Sequence, residues 1–366
     1  MFQAWKNLFK PKKFLGIDIG TSFIRVVEIE RRKSEYRLGN YGYLGDDQPF
    51  LASNGKNMLS LSDSKTVAET IKAILEKTGI KTKDVNFSIP DFNSFFTSFD
   101  LPVMDKKEIA GAIKYQVRPF VLLPLEELDL DWLIIEGQPS KTPLKVLVVA
   151  IPKEIIVQYQ KIAELVGLDL RFLESEVFSL ARAVINNDKF GDNKKVVGLV
   201  DIGSWSTTCS VIEKGVLKNS YSFNIAGNEL TKVIDKALNV NYNKAEELKK
   251  KYGLLSADSA RDGENLPPDT FPKILTPLTD SILREIKRVF RDFYRLEGKE
   301  IEKVVLSGGT ALMPGLKEYF ADNLQKEVVI ANPFSNLSYP KPLEPVLREL
   351  GPIYGVAVGL ALKGLE

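Results

Sequence analysis

The sequence predicts an α/β protein of two domains that repeat one strand–turn–strand unit. Its 366 residues are the usual length of two domains of ordinary size. The segment IDIGTS at 17–22 nearly recurs as VDIGSWST at 200–207, 183 positions later. Each copy follows an apolar run and places an aspartate two positions before a glycine, with hydroxyl residues after it. Strand and helix patterns alternate around both copies, so we expect an internal duplication of architecture.

The composition is that of a soluble globular protein, with 44% apolar and 27% charged residues. The net charge of +2 gives no electrostatic signal for nucleic acid, and we expect no nucleic-acid partner. No apolar run approaches the ~18–20 residues that span a bilayer. The N-terminus lacks the apolar core of a signal peptide. We therefore expect a cytoplasmic protein.

The absence of histidine excludes several kinds of active site. A Ser-His-Asp triad and a histidine-ligated zinc site both need this residue. The single Cys209 leaves no internal disulfide and no thiolate metal site. A bound metal would therefore have oxygen ligands, which indicates Mg2+, and carboxylates would carry any acid–base step.

In the first half, residues 14–30 are predicted as two strands joined at the glycine turn, and strand character continues to Tyr43. The polar segment 44–62 is predicted as a loop. A helix with one apolar face is expected from Ser64, with Gly79 as its C-cap.

VNFSIP at 85–90 is predicted as a buried strand. The chain then forms a compact α+β unit with the strand FFTSFDLP, a helix, two further strands and a helix from about 153 to 166. The first of these helices carries Ile109, Ile113 and Val117 at helical spacing. A strand and a helix at 168–186 complete this half.

The second half begins at Lys195 with two strands around the second glycine turn. GNELTKVIDKAL and NKAEELKKKYG are predicted helices, and 255–277 is predicted as a loop. A long helix follows at 279–297, with apolar residues from Ile282 to Leu296 on one face. After the strand KVVLSGGT and a helix near Pro314, the chain ends in a small-residue apolar helix suited to close packing inside the fold.

These elements divide the chain into five parts. We predict a basic amphipathic segment, a first domain interrupted by an insert, and a second domain with its own subdomain. The predicted ranges are 1–13 for the segment, 14–84 with 166–194 and 350–366 for the first domain, 85–165 for the insert, 195–228 with 300–349 for the second domain, and 229–299 for its subdomain.

The Asp-x-Gly corner is suited to binding a phosphate. Glycine lets backbone N–H groups approach phosphate oxygens, and Ser and Thr hydroxyls donate to the same oxygens. The aspartate repels phosphate but holds hydrated Mg2+. One corner alone is more often an ordinary hairpin turn. Two corners in matched contexts indicate two loops that close on one triphosphate from opposite walls of a cleft.

A third glycine turn lies in VVLSGGTALMPGL at 304–316, between a strand and a helix. Gly308 and Gly309 would let a flat ring lie against the backbone. An ordinary βα turn explains this segment equally well when it is taken alone.

The chain resembles the actin-like ATPase superfamily in five features that occur in the same order. They are IDIGTS, VDIGSWSTT, an A-E-x-x-K helix at 245–249, LSGGTALMPGL and the terminal helix. Within it, the chain resembles the PilM family of type IV pilus assembly. The start MFQAWKNLFKPKKF and the insert carry that likeness, because the insert is similar to the 1C subdomain that PilM shares with the division protein FtsA. The resemblance implies an actin-like, ribonuclease H-like duplicated two-domain fold with an FtsA-type 1C insert.

The resemblance also implies a site for ATP and Mg2+. It assigns Asp18 and Asp201 to the metal, and Glu176 in ESEVFSLARA to the catalytic positioning of the attacking water. A solvated glutamate at a helix start is an equal alternative for Glu176. The nucleotide-binding residues that the resemblance implies are Asp18, Gly20, Thr21, Ser22, Asp201, Gly203, Ser204, Ser206, Thr207, Gly227, Glu246, Lys249, Gly308, Gly309, Thr310 and Met313.

The second phosphate loop departs from the superfamily pattern, because Ser204 and Trp205 stand where many relatives have glycines. An indole beside the phosphates would either narrow the site or point away from it. Phosphoryl transfer needs an in-line water and tight positioning. We therefore expect ATP binding with slow or negligible hydrolysis, in which ATP acts as a conformational ligand.

The N-terminal segment places Phe2, Trp5 and Phe9 on one helical face beside several lysines. This pattern is consistent with contact to a membrane surface. It is equally consistent with docking to a partner or to a second copy of the chain. The remaining alternative is a tail whose aromatic residues fold back on the body.

The family resemblance implies a cytoplasmic scaffold at the inner face of the cytoplasmic membrane. Its implied partners are the N-terminal cytoplasmic peptide of PilN, other inner-membrane pilus assembly proteins and the motor ATPases. The implied peptide groove is lined by SFFTSFDLP and residues 115–123, although most of these aromatics also suit the core of the insert.

Two alternative functions remain within the superfamily. An FtsA-like division scaffold usually ends in a linker and an amphipathic membrane helix, whereas this sequence ends at LKGLE. A small-molecule kinase would need a catalytic aspartate in its first domain, and no convincing candidate is found there.

Overall fold

Two five-stranded sheets form the centre of the protein. The computed structural model describes residues 13–45, 51–53, 59–61, 63–185, 195–255, 267 and 269–366, with only the backbone described at 51–53 and 59–61. The elements of the first half are β1 (Lys13–Ile19), β2 (Phe23–Arg32), β3 (Glu35–Gly45), β4 (Leu51–Ser53), β5 (Leu59–Leu61), α1 (Ser64–Thr78), β6 (Asp84–Ile89), β7 (Phe95–Leu101), α2 (Lys106–Val117), β8 (Leu128–Glu136), β9 (Leu144–Pro152), α3 (Lys153–Val166), β10 (Asp169–Ser175) and α4 (Glu176–Val184). Those of the second half are β11 (Val196–Ile202), β12 (Thr207–Glu213), β13 (Val216–Phe223), α5 (Gly227–Leu238), α6 (Tyr242–Tyr252), α7 (Thr270–Glu297), β14 (Lys303–Ser307), α8 (Leu316–Leu324), β15 (Glu327–Ile330) and α9 (Glu344–Leu365).

The first sheet has the strand order β10-β6-β1-β2-β3. Apart from Lys13, β1 is buried along its whole length, as expected of a central strand covered on both faces. β1 pairs antiparallel with β2 and parallel with β6, and β6 pairs parallel with β10. The carboxyl ends of β1, β6 and β10 therefore meet at one edge, which is where ligands bind in open α/β sheets.

Helices cover both faces of the first sheet. α1 and α3 pack together on one face, and α4 and α9 lie on the other. Small residues bring α9 very close, because a side-chain carbon on Gly16 would overlap the Ala357 carbonyl and one on Gly359 would overlap the Ser179 carbonyl. Within the described residues, the segment Lys341–Leu365 is long and apolar enough to cross a membrane, but 67% of its apolar window is buried inside the fold.

The second sheet repeats the first. Its order is β13-β12-β11-β14-β15, with β11 antiparallel to β12 and parallel to β14. β11 thus corresponds to β1, and β14 corresponds to β6, so the predicted duplication is confirmed. The apolar faces of α5, α6, α7 and α8 form a core with this sheet.

The insert is a three-stranded antiparallel sheet of order β7-β9-β8 with α2 packed on it. The insert is shorter than the range 85–165 expected from the sequence, because both ends of that range pack with the first domain. β6 pairs with β1 in the first sheet, and α3 contributes Ile155 and Ile162 to the core beneath that sheet. The elements of the insert itself therefore run from 95 to 152.

The insert also contacts the second domain. β7 lies against β13. Two ion pairs cross this interface, Glu136–Lys218 at 2.5 Å and Lys145–Glu297. The insert is therefore attached by its chain to the first domain and by side chains to the second.

Two segments expected to be loops contain secondary structure. Within 44–62, β4 and β5 pair as a short hairpin. α7 begins at Thr270, ahead of the expected 279. Pro272 lies in its first turn, where no backbone N–H is needed, and the helix continues through Pro277. Leu296 of α7, expected on the buried face, is 79% exposed. The N-terminal residues Phe2, Trp5 and Phe9 lie outside the described residues.

Candidate nucleotide site

A cavity of about 770 Å³ opens between the two sheets, within the usual range of small-molecule sites. All the residues expected to contact nucleotide, metal or attacking water line this cavity, except Thr207. The expected residues that line it are Asp18, Gly20, Thr21, Ser22, Glu176, Asp201, Gly203, Ser204, Ser206, Gly227, Glu246, Lys249, Gly308, Gly309, Thr310 and Met313.

The first corner holds Asp18 in a fixed position near the end of β1. Asp18 Oδ1 accepts a hydrogen bond from Ser88 Oγ at 2.8 Å, and Oδ2 accepts one from Arg25 Nη1 at 3.0 Å. The Gly20 N–H donates to the Phe23 carbonyl at 3.0 Å, which closes the tight turn. The carboxylate is therefore oriented by neutral and cationic donors from two neighbouring strands.

The second corner has the same turn. The Gly203 N–H donates to the Ser206 carbonyl at 3.0 Å, and the Asn228 N–H donates to the Ser204 carbonyl at 2.8 Å. These bonds tie the loop to the first turn of α5.

The expectation for Thr207 differs from the structure. Thr207 begins β12, is fully buried, and donates its hydroxyl to the Ile225 carbonyl at 2.7 Å. Because side chains alternate along a strand, Thr208 faces the cavity in its place.

Glycines bring the third loop against the second. Gly308 has a φ of 85°, which favours glycine, and a side-chain carbon there would overlap the Ile202 carbonyl. A carbon on Gly227 would lie 2.5 Å from Thr310 Oγ1. Thr310 Oγ1 itself donates to the Gly203 carbonyl at 3.1 Å. The loops thus pack backbone against backbone around the cavity.

The A-E-x-x-K pattern forms a partly buried ion pair. Lys249 Nζ lies 2.6 Å from Glu246 Oε2 and donates to Thr231 Oγ1 at 2.9 Å and to the Gly227 carbonyl at 3.0 Å. Burial lowers the pKa of Lys249, and the Glu246 charge opposes this shift. The ammonium therefore fixes the start of α5 to α6 at the edge of the cavity.

Carboxyl groups dominate the electrostatics of the cavity. Burial raises the pKa of Asp201 to about 6, with the Asp18 charge adding to the shift and the Arg25 charge opposing it. Burial also raises the pKa of Glu176 well above its usual value, and the charges of Asp18, Asp91 and Asp201 add to it. Closely spaced buried carboxyls of this kind favour a bound cation.

No three His, Cys, Asp or Glu side chains in the described parts of the chain are placed to hold a metal ion together. Asp18 and Asp201 are the carboxylates that the two corners present to the cavity. A metal bound here would take its remaining ligands from water and from a bound anion.

Two residues of the site were missed from the sequence. Arg25 lies directly across from Asp18 in the β1–β2 register and lines the cavity. A basic residue seven positions after the aspartate is a signal that could have found it. Asp91 follows β6 and hydrogen-bonds Glu176 and Val177. This contact can be recognised only when it is known that β6 lies between β1 and β10 in the sheet.

Trp205 joins the second glycine corner to the first domain. Its ring lines the cavity and packs against the apolar cluster formed by β1, β6, α1 and α3. Its indole N–H is buried without a hydrogen-bond partner among the described residues. The indole therefore contributes apolar contact across the cavity.

The duplicated sheets, with glycine corners facing one cavity, define an actin-like protein. Solved structures share this fold. The chain matches the structure titled "PilM-PilN type IV pilus biogenesis complex" with a TM-score of 0.84 at 22% identity, covering 98% of this chain and 99% of that one. MreB 5 of Spiroplasma citri bound to AMPPNP gives 0.53 at 13% identity, with 96% and 95% covered. The ethanolamine utilization protein EutJ of Carboxydothermus hydrogenoformans gives 0.57 at 17%, with 96% and 90% covered.

The sequence identifies the family within this class. The family model described as "Type IV pilus assembly protein PilM" matches residues 16–365. The chain therefore belongs to the PilM family of type IV pilus assembly proteins, as expected from its motifs. It is also similar to the cell division protein FtsA of Enterococcus faecalis, with 27% identity over 391 residues that cover 92% of this chain and 85% of that protein.

Proposed function

We propose that the chain binds ATP with Mg2+ in this cavity and acts as a nucleotide-dependent scaffold of type IV pilus assembly. The observation that carries the proposal is the pair of Asp-x-Gly corners, which face one cavity of about 770 Å³ from two duplicated sheets. Each domain supplies one corner, so a ligand held by both would fix the angle between the domains.

The donors of the cavity fit a polyphosphate. Thr21 and Ser22 bring hydroxyls from the first domain, and Ser204 and Ser206 bring them from the second. Arg25 adds a guanidinium, which pairs well with phosphate oxygens. These donors surround the position between the corners where an anion would lie.

Mg2+ fits the carboxylates. In proteins, Mg2+ keeps several waters and takes one or two carboxylates together with phosphate oxygens. Asp18 and Asp201 would be this pair, since each corner presents one of them to the cavity. Bound Mg2+ would neutralise charge on the phosphates.

The third loop suits the base and ribose. A side-chain carbon on Gly309 would meet only Ile353, at 3.7 Å, so this backbone is open to a flat ring. Glu246 and Lys249 lie at the edge of the same cavity, where they would flank the adenosine.

Hydrolysis is expected to be slow. Glu176 would position the attacking water, but burial raises the pKa of its carboxyl well above the usual value, which disfavours the carboxylate form that would accept a water proton. The indole of Trp205 also occupies part of the cavity wall. ATP would therefore act mainly as a ligand that closes the domains.

The partner proposed for the scaffold is the N-terminal cytoplasmic peptide of PilN, which would place the protein at the inner face of the cytoplasmic membrane. The insert offers apolar surface for such a peptide at Tyr115, Phe120 and Leu122, which are all exposed. By contrast, Phe95, Phe96 and Phe99 pack against the protein's own cores. Other inner-membrane assembly proteins and a motor ATPase would bind the scaffold in turn.

Calorimetric titration of the full chain tests both parts. Wild type should bind ATP in the presence of MgCl2, and Asp201→Asn should weaken this binding by about tenfold or more. A fluorescent peptide with the N-terminal sequence of the PilN from the same genome should then bind, whereas a scrambled peptide should not. Absence of ATP binding would refute the nucleotide site. Absence of peptide binding with and without ATP would refute the pilus partner and leave an FtsA-like scaffold as the alternative.

A further inference from the structure

The turn from which the insert leaves the first domain is hydrogen-bonded to Glu176. The Asp91 N–H donates to Glu176 Oε2 at 3.1 Å, and Asp91 Oδ1 accepts from the Val177 N–H at 3.2 Å. The hydroxyls of Ser94 and Ser175 lie 3.1 Å apart on the same seam. Three hydrogen bonds therefore join the root of the insert to the end of β10 and the first turn of α4.

This seam is buried on both sides. Asp91 is 3% exposed and begins a single 3-10 turn, Asp91–Asn93, directly after Pro90. Ser175 is also 3% exposed and is the last residue of β10. The Asp91 N–H donates to Glu176. Its orientation is therefore set by the hydrogen bond between the Asp91 carboxyl and the Val177 N–H.

We infer that Asp91 is a positioning residue, which orients Glu176 in the nucleotide cavity and couples Glu176 to the insert. This inference rests on the proposed ATP site and names a route by which that site is regulated. β7 begins at Phe95, directly after the seam, and lies against β13 of the second domain. A shift of the insert relative to the second domain reaches Glu176 through the four residues 91–94. A partner bound to the insert would thereby alter the position of the attacking water.

The role of Asp91 does not require a negative charge. It uses a backbone N–H and one acceptor oxygen. Burial also raises the pKa of Asp91 to about 8, so the carboxyl is mainly neutral at pH 7. Asp91→Asn keeps the acceptor oxygen and the shape of the side chain. Asp91→Ala removes the acceptor, releases the Val177 amide and lets the turn move.

The experiment compares wild type, Asp91→Ala, Asp91→Asn and Ser94→Ala as full chains. Each is assayed at pH 7 by single-turnover hydrolysis of radiolabelled ATP and by equilibrium binding of a fluorescent ATP analogue. Asp91→Ala should lower the single-turnover rate about tenfold while the Kd stays within about twofold. Asp91→Asn should keep a rate within about threefold of wild type. Ser94→Ala is the matched control, because it breaks the same seam without touching Glu176, and it should behave like Asp91→Asn.

A second comparison tests the link to the insert. Glu136→Gln removes the ion pair between the insert and Lys218, on the surface and outside the cavity lining. In the wild-type background, Glu136→Gln should change the single-turnover rate of ATP hydrolysis by about threefold or more. In the Asp91→Ala background, the same substitution should leave the rate unchanged. Additive effects of the two substitutions would overturn the coupling.

Three results would overturn the positioning role. The first is that Asp91→Asn slows ATP hydrolysis as much as Asp91→Ala does. The second is that Asp91→Ala loses rate, affinity and Tm in parallel. The third is that wild type binds ATP but releases no phosphate over a day. Failure of the wild type to bind the ATP analogue is a different outcome, because it refutes the proposed nucleotide site itself.

Discussion

Arg25 and Asp18 face each other across the β1–β2 hairpin, and Arg25 Nη1 lies 3.0 Å from Asp18 Oδ2. Their side chains are only 15% and 6% exposed, so the pair is poorly screened by solvent. The guanidinium is thereby held beside the carboxylate proposed for Mg2+ and within the wall of the cavity. A phosphate that enters the cavity would meet a cation already in place.

Arg25→Ala should weaken ATP binding by about tenfold or more, because the phosphates lose a partly buried cation. The Tm of the ATP-free protein should also fall, since Asp18 is left buried with one donor fewer. Calorimetric titration and thermal melts measure the two effects. Arg25→Lys is the matched control and should lose less affinity, because the charge remains. Arg25→Ala with wild-type affinity would contradict a role in phosphate binding.

The duplicated architecture and most of the cavity could be predicted from the sequence, because they depend on residues that are close together in the chain. Asp18, Gly20, Asp201 and Gly203 belong to short turns whose geometry depends on neighbouring residues, so their pattern is visible in the chain itself. The strand and helix patterns around them follow from apolar periodicity. Membership of the PilM family was expected from the N-terminal start and the insert, and it is confirmed by the match over residues 16–365.

The missed features depend on pairing between distant segments. Asp91 meets Glu176 only because β6 and β10 are adjacent parallel strands. Thr207 and Thr208 both follow the glycine corner, and which of them faces the cavity is set by the register of β12 against β11. The boundary of the insert is likewise decided by β6 and α3 packing on the first sheet. Composition and periodicity carry no information about such partners.

Lys249→Met should destabilise the protein and weaken ATP binding. The substitution removes three contacts of Nζ, to Glu246, Thr231 and the Gly227 carbonyl, from a group that is almost fully buried. Breaking a buried ion pair by removing one partner costs about 3–5 kcal/mol, and we expect the lower end because Glu246 keeps Lys250 at 3.3 Å. Urea unfolding and calorimetric titration measure the two effects.

Lys250→Met is the matched control for this prediction. The Lys250 side chain is 68% exposed and pairs with the same glutamate. Its loss should cost about 0.5 kcal/mol or less, as for other surface pairs. Equal effects of the two substitutions would show that the buried position of Lys249 is unimportant.

Trp205→Gly should loosen the contact between the second phosphate loop and the first domain. The ring packs on the apolar cluster of the first domain, and truncation of a large aromatic side chain in such a site costs about 2 kcal/mol or more. We expect a lower Tm and faster phosphate release, because the indole no longer occupies part of the cavity wall. Thermal melts and multiple-turnover phosphate release check these outcomes.

Trp205→Phe separates packing from obstruction. It keeps much of the apolar contact and removes the indole N–H, which has no partner in the described part of the protein. Its Tm should therefore stay close to that of wild type. If Trp205→Gly lowers Tm without changing the rate of phosphate release, Trp205 serves only in packing.

The stability of the ATP-free protein should fall as pH rises from about 4 to about 8, in part because of Asp91. Burial raises its pKa in the folded protein to about 8 from the usual 3.8. Above about pH 4 the unfolded chain releases this proton while the folded protein retains it, which favours unfolding. Glu176 and Asp201, which face Asp91 in the same region, have raised pKa values and add a slope of the same sign.

Asp91→Asn isolates the contribution of this one group. Asparagine does not ionise in either state, so the Tm of the variant minus that of wild type should increase by several degrees between pH 5 and pH 8. Thermal melts in matched buffers without nucleotide measure this difference, and Asp129→Asn, at an exposed position, is the control for replacing a surface carboxylate by an amide. The slopes due to Glu176 and Asp201 remain in both proteins and largely cancel. A difference for Asp91→Asn that does not change with pH would mean that the Asp91 carboxyl ionises as readily in the folded protein as in the unfolded chain.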